Sequence, residues 1–367
     1  MVIAVDTRML ADSNKDNYAS FIYRSLLQLA EQNLQNRFIF FTDDVKKVPP
    51  QLPVNIVSIV ITPKVNNRLR LRWWYDIKLP AALKKQNAEV LIGASFICSL
   101  RTTIPQILIL NDYHSFLKKN NVDVWVSRKR LAASAKAASV FCTLTRSSKE
   151  MYCKLLQLNP EKVIVTNIAT NEVHTPIHWK AREEVKEKYA AGCEYFICNC
   201  TEEDQLITLL KAFSIFKKWQ KSNMKLLFTN IHVHDKAMEE KMSTYKHKND
   251  LFFYDVLTKD ENAFITGSAY AFIHFSTLCL FDVLKALQFN VPVLSFENEN
   301  VREVAENAAL YIENTTPEQI ADKMKLIYKD ELLRNQLIRE GQKRVGQFSK
   351  NIIIDNLQEA IHLALRD

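Results

Sequence analysis

Apolar residues along this chain fall into short unbroken runs, separated by longer stretches in which they recur every three or four positions. The first run, "VIAVD" (Val2–Asp6), predicts a strand, and residues 16–32 follow with helical spacing, Phe21, Leu26, Leu27 and Ala30 among the apolar positions. "RFIFFTD", "VNIVSIV", "EVLIGA", "QILIL" and "SVFCTL" predict further strands. Continuous rather than alternating, such runs suit a parallel sheet covered on both faces. "TRSSKEMYCKLL" predicts a strand exit and a serine-capped helix. "KVIVTNIATNEVHTPIHW" reads as a strand followed by an irregular linker near residues 168–182. The alternation then restarts. "EYFICN", "MKLLFTN", "LFFYDV", "YAFIHF", "VPVLSF" and "AALYI" predict strands, with a helix at 202–220 after the first. Helices run to the end, "TPEQ" supplying a capping box with proline at the first helical position.

Strand–helix alternation in both halves predicts two doubly wound α/β domains, residues 1–177 and 178–348. Ligands of such domains lie beyond the carboxyl ends of the strands, so the expected site is a cleft between the two. The segment "HFSTLCLFDVLKALQFNVPV" (His274–Val293) occupies that position in the second half: strand end, loop, helix, short strand. Its loop has no glycine.

Composition narrows the picture. Apolar residues make up 47% of the 367, ample for two cores. No apolar run approaches about 18 residues, so none is expected to span a bilayer. The opening "MVIAVD" lacks the basic and apolar regions of a signal peptide, and the seven scattered cysteines suggest reduced thiols, so a cytoplasmic protein is expected. "CEYFICNC" invites a metal reading through Cys193, Cys198 and Cys200, but its spacing matches no zinc pattern and buried strand cysteines fit better. Glycine is scarce, five residues in all, where about 7% is typical. Phosphate-cradling loops need glycine because backbone N–H groups must approach the anion closely.

Charge is uneven. Residues 1–177 hold 24 Lys+Arg and 13 Asp+Glu, net +11, whereas the remainder holds 25 and 28, net −3. A basic first half suits an anionic partner such as a lipid headgroup or a phosphorylated acceptor. No nucleic-acid motif accompanies the charge, so nucleic acid is not expected. "RLRLRWWYDIKLP" (Arg68–Pro80) combines three arginines with Trp73 and Trp74. That mixture suits a membrane interface or a stacked acceptor, or else tryptophans packed beneath a helix. The basic cluster at 128–130 reads as a solvated helix end.

Several stretches, in order, are familiar. "VIAVDTRML" resembles "RIAIDARPL", "ILILNDYHSF" resembles "VVTIHDLSF", and "NPEKVIVTNIAT" resembles "PPEKVVVIPNGV". "LITLLKAF" looks like "NLERLLEAF", "NVREVAENAALYI" like "SSLPEVAGDAALLV", and "LLRNQLIREGQKRVGQFS" like "LRAELRERGLERAARFS". The comparison strings belong to the retaining glycosyltransferases of family 4, which this chain resembles over nearly its whole length. The resemblance implies a GT-B fold, with two Rossmann-like domains facing across a cleft and the C-terminal helix, residues 349–367, packing back on the first. It further implies transfer of a hexose from a nucleotide-sugar to a glycan or lipid-linked acceptor. No metal and no cofactor beyond that donor are implied, and peripheral contact with the inner membrane face is expected.

The positions that carry ligand in the family are altered. Its glycine-rich loop "GIGRY" aligns with "NKDNY": Tyr18 remains, while Asn14 and Asp16 replace glycines. Its Arg–Lys clamp on the donor diphosphate aligns with Glu203 and Asp204, a reversal of charge. At an effective dielectric of about 20, unit charges about 4 Å apart interact by about 4 kcal/mol. Two reversals therefore rival the roughly 8 kcal/mol of a micromolar affinity. The family's sugar-contacting glutamate aligns with Thr277 or, counted from the strand, with Cys279; its ribose-holding glutamate aligns with Lys285. Asp282, one turn earlier, is a candidate stand-in for the latter. Asn111 replaces the histidine of "HD" while Asp112 stays, with His114 nearby; Ile168–Ala169 stand where the family has "NG". Asparagine hydrogen-bonds but does not exchange a proton at neutral pH.

Three functional readings follow: a glycosyltransferase with a rebuilt donor site, a non-catalytic homologue acting as a protein partner in glycan assembly, and a different activity on the same fold. A Lys285 bridge to Glu203 or Asp204 would mark a self-neutralised pocket.

Overall fold

The structure is a computed structural model and describes residues 1–10, 17–49, 51–110, 128–169, 174–199, 203–229, 242–275 and 280–366. The chain divides into two compact units, Met1–Asn171 with Ser349–Asp367, and Glu172–Phe348.

The first unit is built on seven strands: β1 (Val2–Asp6), β2 (Arg37–Thr42), β3 (Ile56–Val60), β4 (Val90–Gly93), β5 (Gln106–Ile109), β6 (Val140–Thr143) and β7 (Val163–Val165). All pair in parallel, in the order β3-β2-β1-β4-β5-β6-β7. Every residue of β4, β5 and β6 is buried. Helices on both faces remove the need for a polar side, which is why these strands read as unbroken apolar runs. The strand order reverses between β1 and β4, where Asp6 pairs in register with Gly93.

Local signals explain most helix starts. Helix α1 (Asn17–Gln32) carries the expected apolar face, with Phe21, Leu26 and Ala30 buried. Helix α2 (Arg68–Trp73) is capped by the Asn67 side chain, which accepts from the Arg70 N–H at 2.9 Å. It runs on through a π-turn (Trp74–Lys78) into α3 (Leu79–Lys85). In that turn the Leu79 N–H bonds to the Trp74 carbonyl, a five-residue step. Pro80 follows at once; its ring would crowd the Asp76 carbonyl in a regular helix, and the widened turn gives it room. Helix α4 (Arg128–Ala137) follows β5 along the chain. Helix α5 (Arg146–Leu156) is capped by Thr145, whose Oγ1 accepts from the Ser148 N–H at 3.0 Å. The cap is thus threonine rather than the expected serine.

The linker expected over 168–182 is shorter at both ends. Ile168 and Ala169 are buried with the first unit, and helix α6 (Trp179–Ala190) begins well before 182. Its cap is His178, whose Nδ1 accepts from the Lys180 N–H, a role for histidine that sequence pattern does not announce.

In the second unit six strands, β8 (Tyr195–Asn199), β9 (Lys225–Thr229), β10 (Leu251–Tyr254), β11 (Ala271–His274), β12 (Val293–Phe296) and β13 (Ala309–Ile312), form another parallel sheet, ordered β10-β9-β8-β11-β12-β13. Among the described residues its helices are α6 and then α7 (Glu203–Trp219), α8 (Lys259–Gly267), α9 (Leu280–Gln288), α10 (Glu299–Ala305), α11 (Pro317–Lys329) and α12 (Glu331–Val345). The "TPEQ" box is half formed. Thr316 caps α11, but the Gln319 amide oxygen accepts from the Asn314 N–H instead of reaching back to the cap.

The last helix, α13 (Lys350–Arg366), belongs to the first unit. It buries Ile353, Ile354, Leu357 and Ile361, packing against α1 and the strands β4 to β7. The Asn356 amide donates to the Val165 carbonyl at 3.1 Å, and the Gln358 amide to Asn33 Oδ1 at 3.2 Å. Ile354→Ala is expected to cost about 3 kcal/mol in urea unfolding, through lost burial plus a cavity, while Leu365→Ala, at an exposed position, costs under about 1 kcal/mol.

Candidate functional site

In the second sheet the strand order reverses between β8 and β11, and that point opens the crevice of a doubly wound domain. Two polar residues end the two strands there: Asn199 on β8 and His274 on β11, paired in register. Each closes a run otherwise apolar. The helix leaving β11, α9, adds Asp282 from its first turn and Lys285 from the next.

These groups are wired together. Asp282 is buried, and its Oδ2 accepts from the Asn199 amide at 2.8 Å. Its other oxygen accepts from Lys285 Nζ at 3.1 Å, and the same ammonium donates to Asn262 Oδ1 of α8 at 2.7 Å. Lys285 therefore ties α9 to α8 and to the end of β8 through Asp282. Burial raises the pKa of Asp282, but attraction to the Lys285 ammonium and the hydrogen bonds from Lys285 and Asn199 outweigh it, with His274 acting in the same direction, so the carboxyl lies below its ordinary value. The carboxylate is charged at neutral pH, and its charge is met inside the protein.

Glu203 and Asp204 occupy the first turn of α7 and are exposed. Two carboxylates there complement the positive end of the helix dipole, the feature that would otherwise attract a phosphate. Among the described residues Lys285 pairs with Asp282 and Asn262, not with Glu203 or Asp204. Asn14, Asp16, Asn111, Asp112 and Thr277, with His114 and Cys279, lie outside the described residues.

The first unit carries a second polar group at its own reversal point, which the sequence pattern does not announce. Asp6, Arg8 and Tyr75 are all buried. The Tyr75 hydroxyl donates to Asp6 Oδ2 at 2.7 Å, Arg8 Nη2 donates to that hydroxyl at 3.3 Å, and the Arg8 N–H donates to Asp6 Oδ1 at 3.0 Å. The guanidinium also lies over the rings of Trp74 and Tyr75, 5.8 and 5.5 Å from their centroids. The sequence signal for both groups is the same: an acid, amide or histidine ending an apolar strand, as in "VIAVD", "YFICN" and "AFIH". Arg130, expected in a solvated cluster, instead forms a two-pronged pair with Asp76 at 2.7 and 2.9 Å and donates to the Cys98 carbonyl.

Comparison with known proteins fits this geometry. Residues 182–344 match the family model described as glycosyl transferases group 1. No curated protein matches the chain. Among solved structures, WaaG, a glycosyltransferase involved in lipopolysaccharide biosynthesis, aligns at a TM-score of 0.66 with 13% identity over 99% of both chains. Anabaena Alr3699/HepE, solved with UDP and glucose, aligns at 0.70 with 10% identity over 98% of this chain and 99% of that one. The putative UDP-N-acetylglucosamine 2-epimerase of Listeria monocytogenes aligns at 0.62 with 11% identity over 98% and 95%. The fold is GT-B, two doubly wound Rossmann-like units. Transferases and an epimerase share it, so the fold does not by itself select a reaction.

The buried pair makes a prediction. Because the folded-state pKa of Asp282 is depressed, its contribution to stability is complete above the ordinary carboxylate range and disappears as pH falls through the folded value. Lys285→Met strands the carboxylate and should cost about 3 kcal/mol near neutral pH by urea unfolding. The deficit should shrink toward a pH of about 4, where the variant relieves its stranded charge by taking up a proton.

Proposed function

We propose that this protein serves glycan assembly as a glycosyltransferase-class protein, with a nucleotide-sugar as donor and a glycan or lipid-linked sugar as acceptor. The observation that carries the reading is the match of residues 182–344 to the group 1 family model. Those residues include the β8–β11 reversal, the end of a doubly wound sheet where a nucleotide is expected. That the Anabaena relative in fold was solved with UDP and glucose supports the same ligand class.

A second reading, a non-catalytic partner in glycan assembly, is favoured by the charges at that end. Lys285, at the position matching the ribose-holding carboxylate, is committed to Asp282 and Asn262. The first turn of α7 is acidic where a diphosphate clamp is expected. A diphosphate arriving there meets repulsion from Glu203 and Asp204 and gains nothing from Lys285 without breaking its pair.

Calorimetric titration with UDP-, GDP- and dTDP-sugars separates the two. The second reading expects affinity weaker than about 1 mM for the unaltered protein, a binding free energy short of about 4 kcal/mol. Micromolar binding supports the transferase reading and counts against the second. Glu203→Arg with Asp204→Lys is expected to raise affinity by about tenfold or more. No gain would mean that the acidic turn is not what weakens binding.

A further inference from the structure

The continuous helical segment from Arg68 to Lys85 has two apolar faces. One is core: Leu71, Trp74, Tyr75, Leu79 and Leu83 are buried against the first sheet. The other points outward. Leu69 is 79% exposed and Ile77 57%, and Trp73, between them, is partly exposed. These residues recur every four positions, so they form one stripe. The outward face of a helix on a soluble protein is ordinarily polar, and an apolar stripe there needs something to cover it.

The flanking charges say what kind of surface that is. Arg68, Arg70, Arg72, Lys78, Lys84 and Lys85 are all exposed along the segment. Its acidic residue, Asp76, is consumed by the two-pronged pair with Arg130 and by the Leu100 N–H, and so does not oppose them. The π-turn contributes by setting residues five apart on one face, and Lys78 Nζ sits 4.6 Å from the centre of the Trp73 ring. Trp73 thus presents an apolar body next to a cation, the combination that sits at the boundary between acyl chains and headgroups. The bond from Leu100 to Asp76 brings a second element alongside, with Leu100 39% exposed and Arg101 exposed. Apolar side chains edged by cations that form no ion pair among the described residues match an anionic bilayer: the stripe enters the headgroup layer and the arginines and lysines meet lipid phosphate.

We propose that the Arg68–Lys85 segment is a membrane-docking element through which this protein lies on an anionic lipid surface. It is independent of the donor chemistry, and holds for a catalyst and for a non-catalytic partner alike. Neither stripe nor cations are part of the buried core, so they can be altered without touching the fold.

Co-sedimentation with vesicles tests it, using phosphatidylcholine alone and with about one-third phosphatidylglycerol. The unaltered protein should bind the anionic vesicles and not the neutral ones, and lose binding between about 0.05 and 0.5 M salt. Leu69→Glu with Ile77→Glu should weaken binding by about tenfold or more, and Arg68→Glu with Arg72→Glu by about twentyfold or more. Lys218→Glu with Lys221→Glu, the same charge change at exposed positions of the second unit, should leave binding within about twofold. Brominated lipid should quench tryptophan emission, and Trp73→Phe should remove most of that quenching. Far-ultraviolet circular dichroism confirms that each variant is folded. Equal binding to neutral vesicles, unchanged binding by the Leu69/Ile77 variant, or equal loss in the Lys218/Lys221 control would overturn the proposal.

Discussion

A parallel sheet clothed on both faces leaves only its strand ends free for chemistry, and that constraint governs both halves of this molecule. The strands β1, β8 and β11, which flank the two reversal points, are apolar until their last residue. Polar atoms accumulate where the strand order reverses, because there the covering helices part and a side chain can find partners outside the core. The two reversal points are filled differently. In the first unit a carboxylate, a phenol and a guanidinium satisfy one another. In the second, a buried carboxylate is held by an amide and an ammonium that also tethers a neighbouring helix.

The Asp282–Lys285 pair explains how a helix of almost unbroken apolar character tolerates two charges. An isolated carboxylate at that depth would take up a proton, whereas the ammonium one turn away keeps it ionised. The same pairing engages the ammonium of Lys285, which stays partly exposed. In this chain the lysine is engaged in holding α9 to α8 and to the end of β8.

The strand runs were legible because burial on both faces leaves an unbroken apolar record, and α1 because its apolar positions keep helical spacing. The π-turn was not, since Trp74–Lys78 has the same composition as a regular turn and only the following Pro80 hints at it. The start of α6 was missed because a histidine supplies its cap. At the site, Lys285 and Asp282 stand out by position, Asp282 as a stand-in for a missing glutamate; Asn199, which meets Asp282, and Asn262, which meets Lys285, lie 83 and 23 residues from those charges. Distance along the chain hid the pairing, not the residue types. The two tryptophans of "RWWY" divide between the alternatives weighed for them: Trp74 is core and Trp73 faces outward, a distinction set by one residue of helical rotation.

The first unit is assembled from both extremities of the chain, with the second inserted into it. During synthesis the strands β4 to β7 emerge long before α13, which must cover them. At about 5 to 20 residues per second, the intervening stretch takes roughly ten to forty seconds to leave the ribosome. For that interval, which is the time taken to make the inserted unit, the sheet carries a bare greasy flank. The nascent protein is therefore most vulnerable to chaperone capture and clumping in the half that is made first.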